Sequence, residues 1–350
     1  GTGTIAVYSA TAADASGGKI NISDADLLQL TGGDVIIDGE IDNGAGEVLE
    51  GLTSGNTIQV TGNGASLQTR NDAIDLTGFN IIGDADDDSL TINSNNAAIT
   101  LASIGQGGGD NDIGALTIDG GDSSSALDVN GDITSAGTIT FQNFSGINLD
   151  ASAARTITSA GNLTTAVALT LDNGDSTVTL DANNDGDISL GTVADDGAGG
   201  TAADLTLDAE GTITIGALSL NDTTDGTLIV TTDSDNDGTG EITIGGAITN
   251  INDATFSGGG TGTNDTLDIN NDITTTGGAL DSQNFANVEI DASGARAITS
   301  GDAITLNTSI GSVVVDNGDG TNTVTLDSNG NSGVTVGATI SSVNEDPLTI

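Results

Sequence analysis

The chain contains no cysteine, histidine, methionine or tryptophan, a single tyrosine (Tyr8), a single proline (Pro347) and five phenylalanines. Each absence removes a class of chemistry. Without Cys there is no disulfide framework, no thiolate metal site and no thiol nucleophile. Without His there is no imidazole zinc centre, no Ser-His-Asp triad and no imidazole acid–base catalysis. Cations are nearly as scarce. Lys19, Arg70, Arg155 and Arg296 stand against 51 acidic residues, giving a formal net charge of −47 in 350 residues. Neither nucleic acid nor an anionic membrane surface suits such a chain as a partner, because both are bound through basic residues. No apolar run approaches the ~20 residues of a membrane-spanning helix, so no membrane insertion is expected. The chain opens Gly1-Thr2-Gly3-Thr4, without Met or a leader. A processed or partial chain of a secreted protein is expected from that start.

What is present points to turns and strands. All but seven of the 51 acids are Asp, and there are 53 glycines. Asp, Asn and Gly favour turns, where a short side chain bonds its own backbone or φ turns positive. An acidic, Gly-rich composition alone also suits disorder. The apolar residues argue otherwise, because they recur in alternation with Thr and Ser. Leu169-Thr170-Leu171, Val178-Thr179-Leu180, Leu205-Thr206-Leu207, Ile213-Thr214-Ile215 and Ile242-Thr243-Ile244 each place two apolar residues on one face. Between them lie Asn-Gly, Asp-Gly and Gly-Gly turns.

Strands this short cannot fold singly. Evenly spaced, they suit a stacked coil, where each pairs with its equivalent above and below. Leu, Ile, Val and Ala fit a narrow lumen, whereas a sandwich needs larger residues to span ~10 Å between sheets. The expected fold is therefore all-β, a right-handed parallel β-solenoid of many short strands. An array of β-sandwich domains is the alternative.

A longer repeat overlies the short one. Residues 127–134 match 267–274, Gln142-Asn143-Phe144 matches Gln283-Asn284-Phe285, and Asp150–Ser159 matches Asp291–Ser300. The organisation expected is a diverged segment 1–75, suited to capping or subunit contact, then copies over 76–195 and 196–350 in one continuous stack. Arg155 and Arg296 occupy the same place in the two copies. A salt bridge to a neighbouring Asp is the simpler role for them and a subunit contact the sharper one.

Runs such as Gly186-Asp187-Ile188-Ser189-Leu190-Gly191 and Leu205–Gly216 resemble the β-strand repeats of large bacterial surface proteins, the filamentous-haemagglutinin-like and autotransporter-type adhesins. The resemblance implies a right-handed parallel β-helix, secretion, and a role in adhesion or surface layers. It brings no catalytic residues with it.

The sharpest local motif is Asp233-Ser234-Asp235-Asn236-Asp237-Gly238, with Glu241 near the ninth loop position. Three carboxylates at alternate positions before a Gly form the opening of a calcium loop. Ile244 stands where a bidentate acid is needed, so this is no EF-hand. A second candidate runs Asp181, Asn183, Asp185, Asp187, and further acidic clusters lie at Asp84–Asp88 and Asp316–Gly320. Hydrated Asx turns are the competing account of all four. The motive for calcium (Ca2+) is electrostatic, since Asp stacked at the ~4.8 Å strand spacing repel unless a cation bridges them.

Thr-x-Thr steps recur at 138–140, 156–158, 177–179, 212–214 and 323–325. An ice-binding solenoid needs such steps in a ladder of fixed coil length, and the spacing here is irregular. Paired carboxylates abound, but sugar-stacking aromatics and the basic residues of a uronate site are nearly absent, so no enzyme is expected. The function expected is a structural subunit of an extracellular filament, sheath or surface layer. It would self-associate through solenoid ends or a donated strand. Cell-surface or polysaccharide contact is compatible with that role. An adhesin stalk and a ligand- or ice-binding solenoid are the alternatives.

Overall fold

The computed structural model describes residues 5–7, 20–21, 27–30, 33–37, 49–50, 57–60, 64–69, 71, 73–77, 79–83, 88–105, 112–172, 174, 176–197, 203–220, 226–235, 240–259, 264–291, 294–308, 311–316, 322–329, 332–343 and 348–350. Among the described residues every regular element is a β-strand and no helix occurs. The strands are parallel and stack into a β-solenoid, as the sequence led us to expect. The chain forms two compact units, residues 1–150 with 155–169, and residues 151–154 with 170–350.

In the first unit the chain visits three faces in turn. Ala65–Thr69, Ile74–Leu76 and Asn80–Gly83 make one coil, and Leu90–Asn93 returns to pair in parallel with Ala65–Thr69. Leu116–Asp119, Ile139–Gln142 and Leu163–Thr165 continue that face. Ile99–Leu101, Ala126–Val129 and Gly146–Asp150 continue the second face. The third face narrows at Ile104 to single bridges, to Ile81 and to Ile133.

The second unit repeats this plan. One face stacks Val178–Ala182, Leu205–Ala209, Thr227–Thr232, Asp253–Ser257, Leu280–Phe285, Ile304–Thr308 and Val334–Val336. The residue count per coil varies, from 23 between Leu205 and Leu228 to 30 between Ile304 and Val334. Inward side chains nevertheless remain aligned, so the extra residues are taken up in the turns.

Period-2 alternation explains the core. Leu205–Ala209 reads buried, half-buried, buried, half-buried, buried. Its inward residues Leu205, Leu207 and Ala209 are all 0 % exposed. Each such Leu, fully buried, contributes about 1.5–3 kcal/mol relative to exposure. Phe79, Phe141, Phe144, Phe256 and Phe285 are all buried as well, so the lumen takes every aromatic ring of that type, beyond the aliphatic set expected.

Corners use the residues the composition advertised. Every described non-glycine residue with positive φ is Asn or Asp, among them Asn143 (59°) and Asn284 (67°). These two are equivalents in the long repeat, and each precedes a buried Phe. Gly259 shows why glycine is needed where coils touch, since a Cβ there runs into the carbonyl oxygen of Asp233.

Candidate functional site

The acidic residues serve first as joints between coils. In a parallel ladder the backbone N–H just before each strand lacks a rung partner from the strand itself. Asp132 Oδ1 accepts that N–H from Thr156 at 2.9 Å, and Asp272 Oδ1 accepts it from Ala297 at 2.9 Å. Asp187 takes Thr212 (2.7 Å), Asp204 takes Thr227 (2.9 Å) and Asp253 takes Ala279 (2.7 Å). In all five pairs the two residues hold the same position in successive coils, immediately before the first inward residue. A carboxylate acceptor makes each a charge-assisted bond, stronger than an ordinary ladder rung. Asp265 works in the reverse sense, accepting Gly240 N–H (2.8 Å) from the preceding coil and Gly259 N–H (3.0 Å).

The calcium candidates separate under this view. Asp187 is one of the joints. Asn183 donates to Asp181 at 3.3 Å, while Asp185 is exposed and its backbone N–H donates to Glu210 Oε2 at 3.1 Å. In the other motif Asp233 is fully buried, Asp235 is exposed, and Glu241 is exposed with Oε1 accepting the Thr243 hydroxyl at 2.8 Å. Asp237 lies outside the described residues, as do Asp84, Asp86, Asp87 and Asp319. Asp233 and Asp265, both 0 % exposed, pack against the same Gly259. Among the described residues no three acidic side chains converge as a metal-ligand group.

Among the described residues three carboxyls are pushed above their ordinary pKa. Burial raises Asp208, a hydrogen bond with Ser234 opposes the rise, and the charges of Asp181 and Glu210 add to it. Asp208 sits in register with Asp181 on the adjoining coil, and its Oδ1 is buried without a hydrogen bond. Burial likewise raises Asp268, opposed by a hydrogen bond from Asn270 and reinforced by Glu241 and Asp291. Asp281 rises through burial alone.

The two equivalent arginines act locally. Arg155 Nη2 pairs with Asp150 Oδ2 at 3.1 Å, the simpler of the two roles expected. Arg296 Nε donates to the Asp291 carbonyl at 3.1 Å, the corresponding position in its own copy. Lys19 and Arg70 lie outside the described residues.

The Thr-x-Thr steps do not share one ladder. Thr158 pairs with Thr134, Thr179 with Thr206, and Thr325 with Ala297. A different threonine row does form, in which Thr91, Thr117, Thr140 and Thr164 stand in register on four successive coils. Irregular spacing in the sequence did not prevent it, because the turns absorb the difference.

The carboxylate joints were missed at the sequence level, although their signal was present. An Asp directly before the first apolar residue of a strand marks each, as in Asp132-Ile133-Thr134 and Asp272-Ile273-Thr274. No family model, no curated protein and no solved structure matches the chain.

Proposed function

We propose that this protein is a structural subunit of an extracellular filament, sheath or surface layer, a scaffold and not a catalyst. The observation that carries this is the use made of the acidic side chains. Five of the groups suited to chemistry, Asp carboxylates just before the first inward residue of a strand, are engaged as joints between coils. A filled apolar lumen and parallel stacking supply stiffness, and a surface of Thr, Asn and Asp suits contact with a hydrated polysaccharide or cell surface.

Self-association is part of the proposal. In the coil from Val334 to Ile350, Val334, Val336 and Leu348 are half-buried, and Ile340 and Ile350 are 41 % and 66 % exposed. The register partners of Val334, Val336, Ile340 and Leu348 one coil earlier, Ile304, Leu306, Val313 and Val324, are 0 % exposed. A further parallel coil, from following chain or from a second copy, would cover them. Calcium at residues 233–241 is proposed with it, supported by the fully buried carboxylate of Asp233.

Negative-stain microscopy and sedimentation of the 350-residue chain test the proposal. Regular polymers are expected, and monodisperse particles at all concentrations overturn it in favour of an adhesin stalk, the role the strand-repeat resemblance supports. Binding to ice is a second reading, favoured by the four-threonine row alone. An ice-recrystallisation assay on the folded protein decides it.

A further inference from the structure

We infer that coil stacking in this protein is gated by ionic strength, so that the fold is completed only where mobile cations are concentrated. Two in-register pairs carry the inference. Asp181 pairs with Asp208, and Asp268 with Glu289, on adjoining coils of the second unit. Register partners in a parallel stack sit ~4.8 Å apart and point to the same side. Each pair therefore sets two acidic residues one strand spacing apart on adjoining coils. Glu210 adds to the first group, and Glu241 and Asp291 to the second. Within the groups Asn183 donates to Asp181, Asn270 donates to Asp268 and Asp208 bonds Ser234, all neutral partners that leave the net charge of each group in place. None of the four strands carries a basic residue.

Internal counter-charge cannot make up the deficit, because four basic residues stand against 51 acidic ones. The counter-charge must come from solvent. The relevant comparison is between the screening length and the coil spacing. At about 10 mM salt the screening length is about 30 Å, which spans roughly six coils, so each carboxylate is repelled by acidic residues well beyond its register partner. At about 0.15 M it is about 8 Å and still exceeds one coil spacing. Only towards 1 M, at about 3 Å, does it drop below the ~4.8 Å between neighbours. Burial is the main cause of the upward displacement of the Asp208 and Asp268 pKa values, and the charges of Asp181 and Glu210 on the first and of Glu241 and Asp291 on the second add to it in the same direction. This gating concerns folding of the single chain and is separate from the scaffold role.

The test is the thermal midpoint of the dilute 350-residue chain, read by circular dichroism across NaCl from about 10 mM to about 1 M. Calcium is held at one fixed level throughout, so occupancy at residues 233–241 does not vary. The midpoint is expected to climb over the entire range, by on the order of 10 °C, with KCl equivalent to NaCl. Asp208→Asn and Glu289→Gln are expected to raise the low-salt midpoint and flatten the salt slope, while Thr206→Asn does neither. A midpoint indifferent to salt overturns the inference. So does a response to one monovalent cation and not the other, or a slope that the charge-removing variants leave unchanged. Sedimentation of the same samples reads assembly separately, so failure of the gating and failure of the scaffold role are distinguishable.

Discussion

Asp187 Oδ1 accepts the backbone N–H of Thr212 at 2.7 Å, and the two residues hold the same position in successive coils. The carboxylate thereby extends the ladder by one rung at the strand entrance. The same relationship links Asp132 to Thr156 and Asp272 to Ala297, one in each copy of the long repeat. Its recurrence makes it a part of the fold with a measurable energetic share.

Asp187→Ala leaves the Thr212 N–H without its acceptor and is expected to cost about 1–3 kcal/mol. Asp187→Asn keeps an acceptor oxygen without the charge, so the loss should be about half as large. Urea denaturation of the two variants beside the parent measures both. A loss equal in the two would assign the effect to charge alone.

Protonation should help this protein over the upper part of the acid range. Asp208, Asp268 and Asp281 have folded-state pKa values raised above the ordinary 3.8. The folded state therefore takes up these protons before the unfolded chain does. Stability rises as pH falls through the folded pKa values, and the gain is complete below 3.8. Conversely it is lost as pH rises through them. Asp268→Asn is expected to raise the midpoint at neutral pH and to shrink the gain between neutral pH and about 4. Thermal melts at a series of pH values, at constant ionic strength, check the sign.

Core truncation should follow ordinary packing costs. Leu207→Ala is expected to cost about 2–5 kcal/mol and Phe285→Ala about 3–5 kcal/mol. Gly259→Ala drives a Cβ into the Asp233 carbonyl and should cost about 2 kcal/mol or more, although the change adds only a methyl group. Equilibrium unfolding, followed by hydrogen exchange to place the opening, distinguishes local loss of one coil from loss of the whole unit.

Chelation addresses residues 233–241. A site filled at about a hundredfold excess over its Kd adds about 2.7 kcal/mol to the folded state. Removing calcium with EDTA at moderate, constant ionic strength should therefore lower the midpoint by several degrees, and Asp233→Asn should abolish the response. An unchanged midpoint in the parent protein removes calcium from the account of this segment.

The strand content and its inward face were legible before any coordinates, because Leu205-Thr206-Leu207 and its relatives follow a period that only a pleated strand satisfies. Stacking was legible from strand length, since segments of three to five residues need neighbours. The turn residues were legible in kind, and Asn143 and Asn284 turn the chain as Asn does elsewhere. The partner of each carboxylate was not. Asp132 and Thr156 lie a coil apart, and a sequence shows the spacing only after the register is known. The role of Phe256 was hidden for a related reason. It stacks between Val230 and Ser282, a neighbourhood that only the register reveals. The threonine row from Thr91 to Thr164 was obscured by turn length, which varies independently of strand alignment.

That independence has a consequence for how such a molecule can change. The step from Leu205 to Leu228 takes 23 residues and the step from Ile304 to Val334 takes 30, yet the inward residues meet their partners in both. A segment of several residues can therefore enter or leave a corner without moving any side chain of the lumen. Corners become grafting points at a fixed pitch of ~4.8 Å, open to new loops while the walls stay unchanged. Evolution or an engineer can space foreign loops along such a scaffold by choosing which corner receives them.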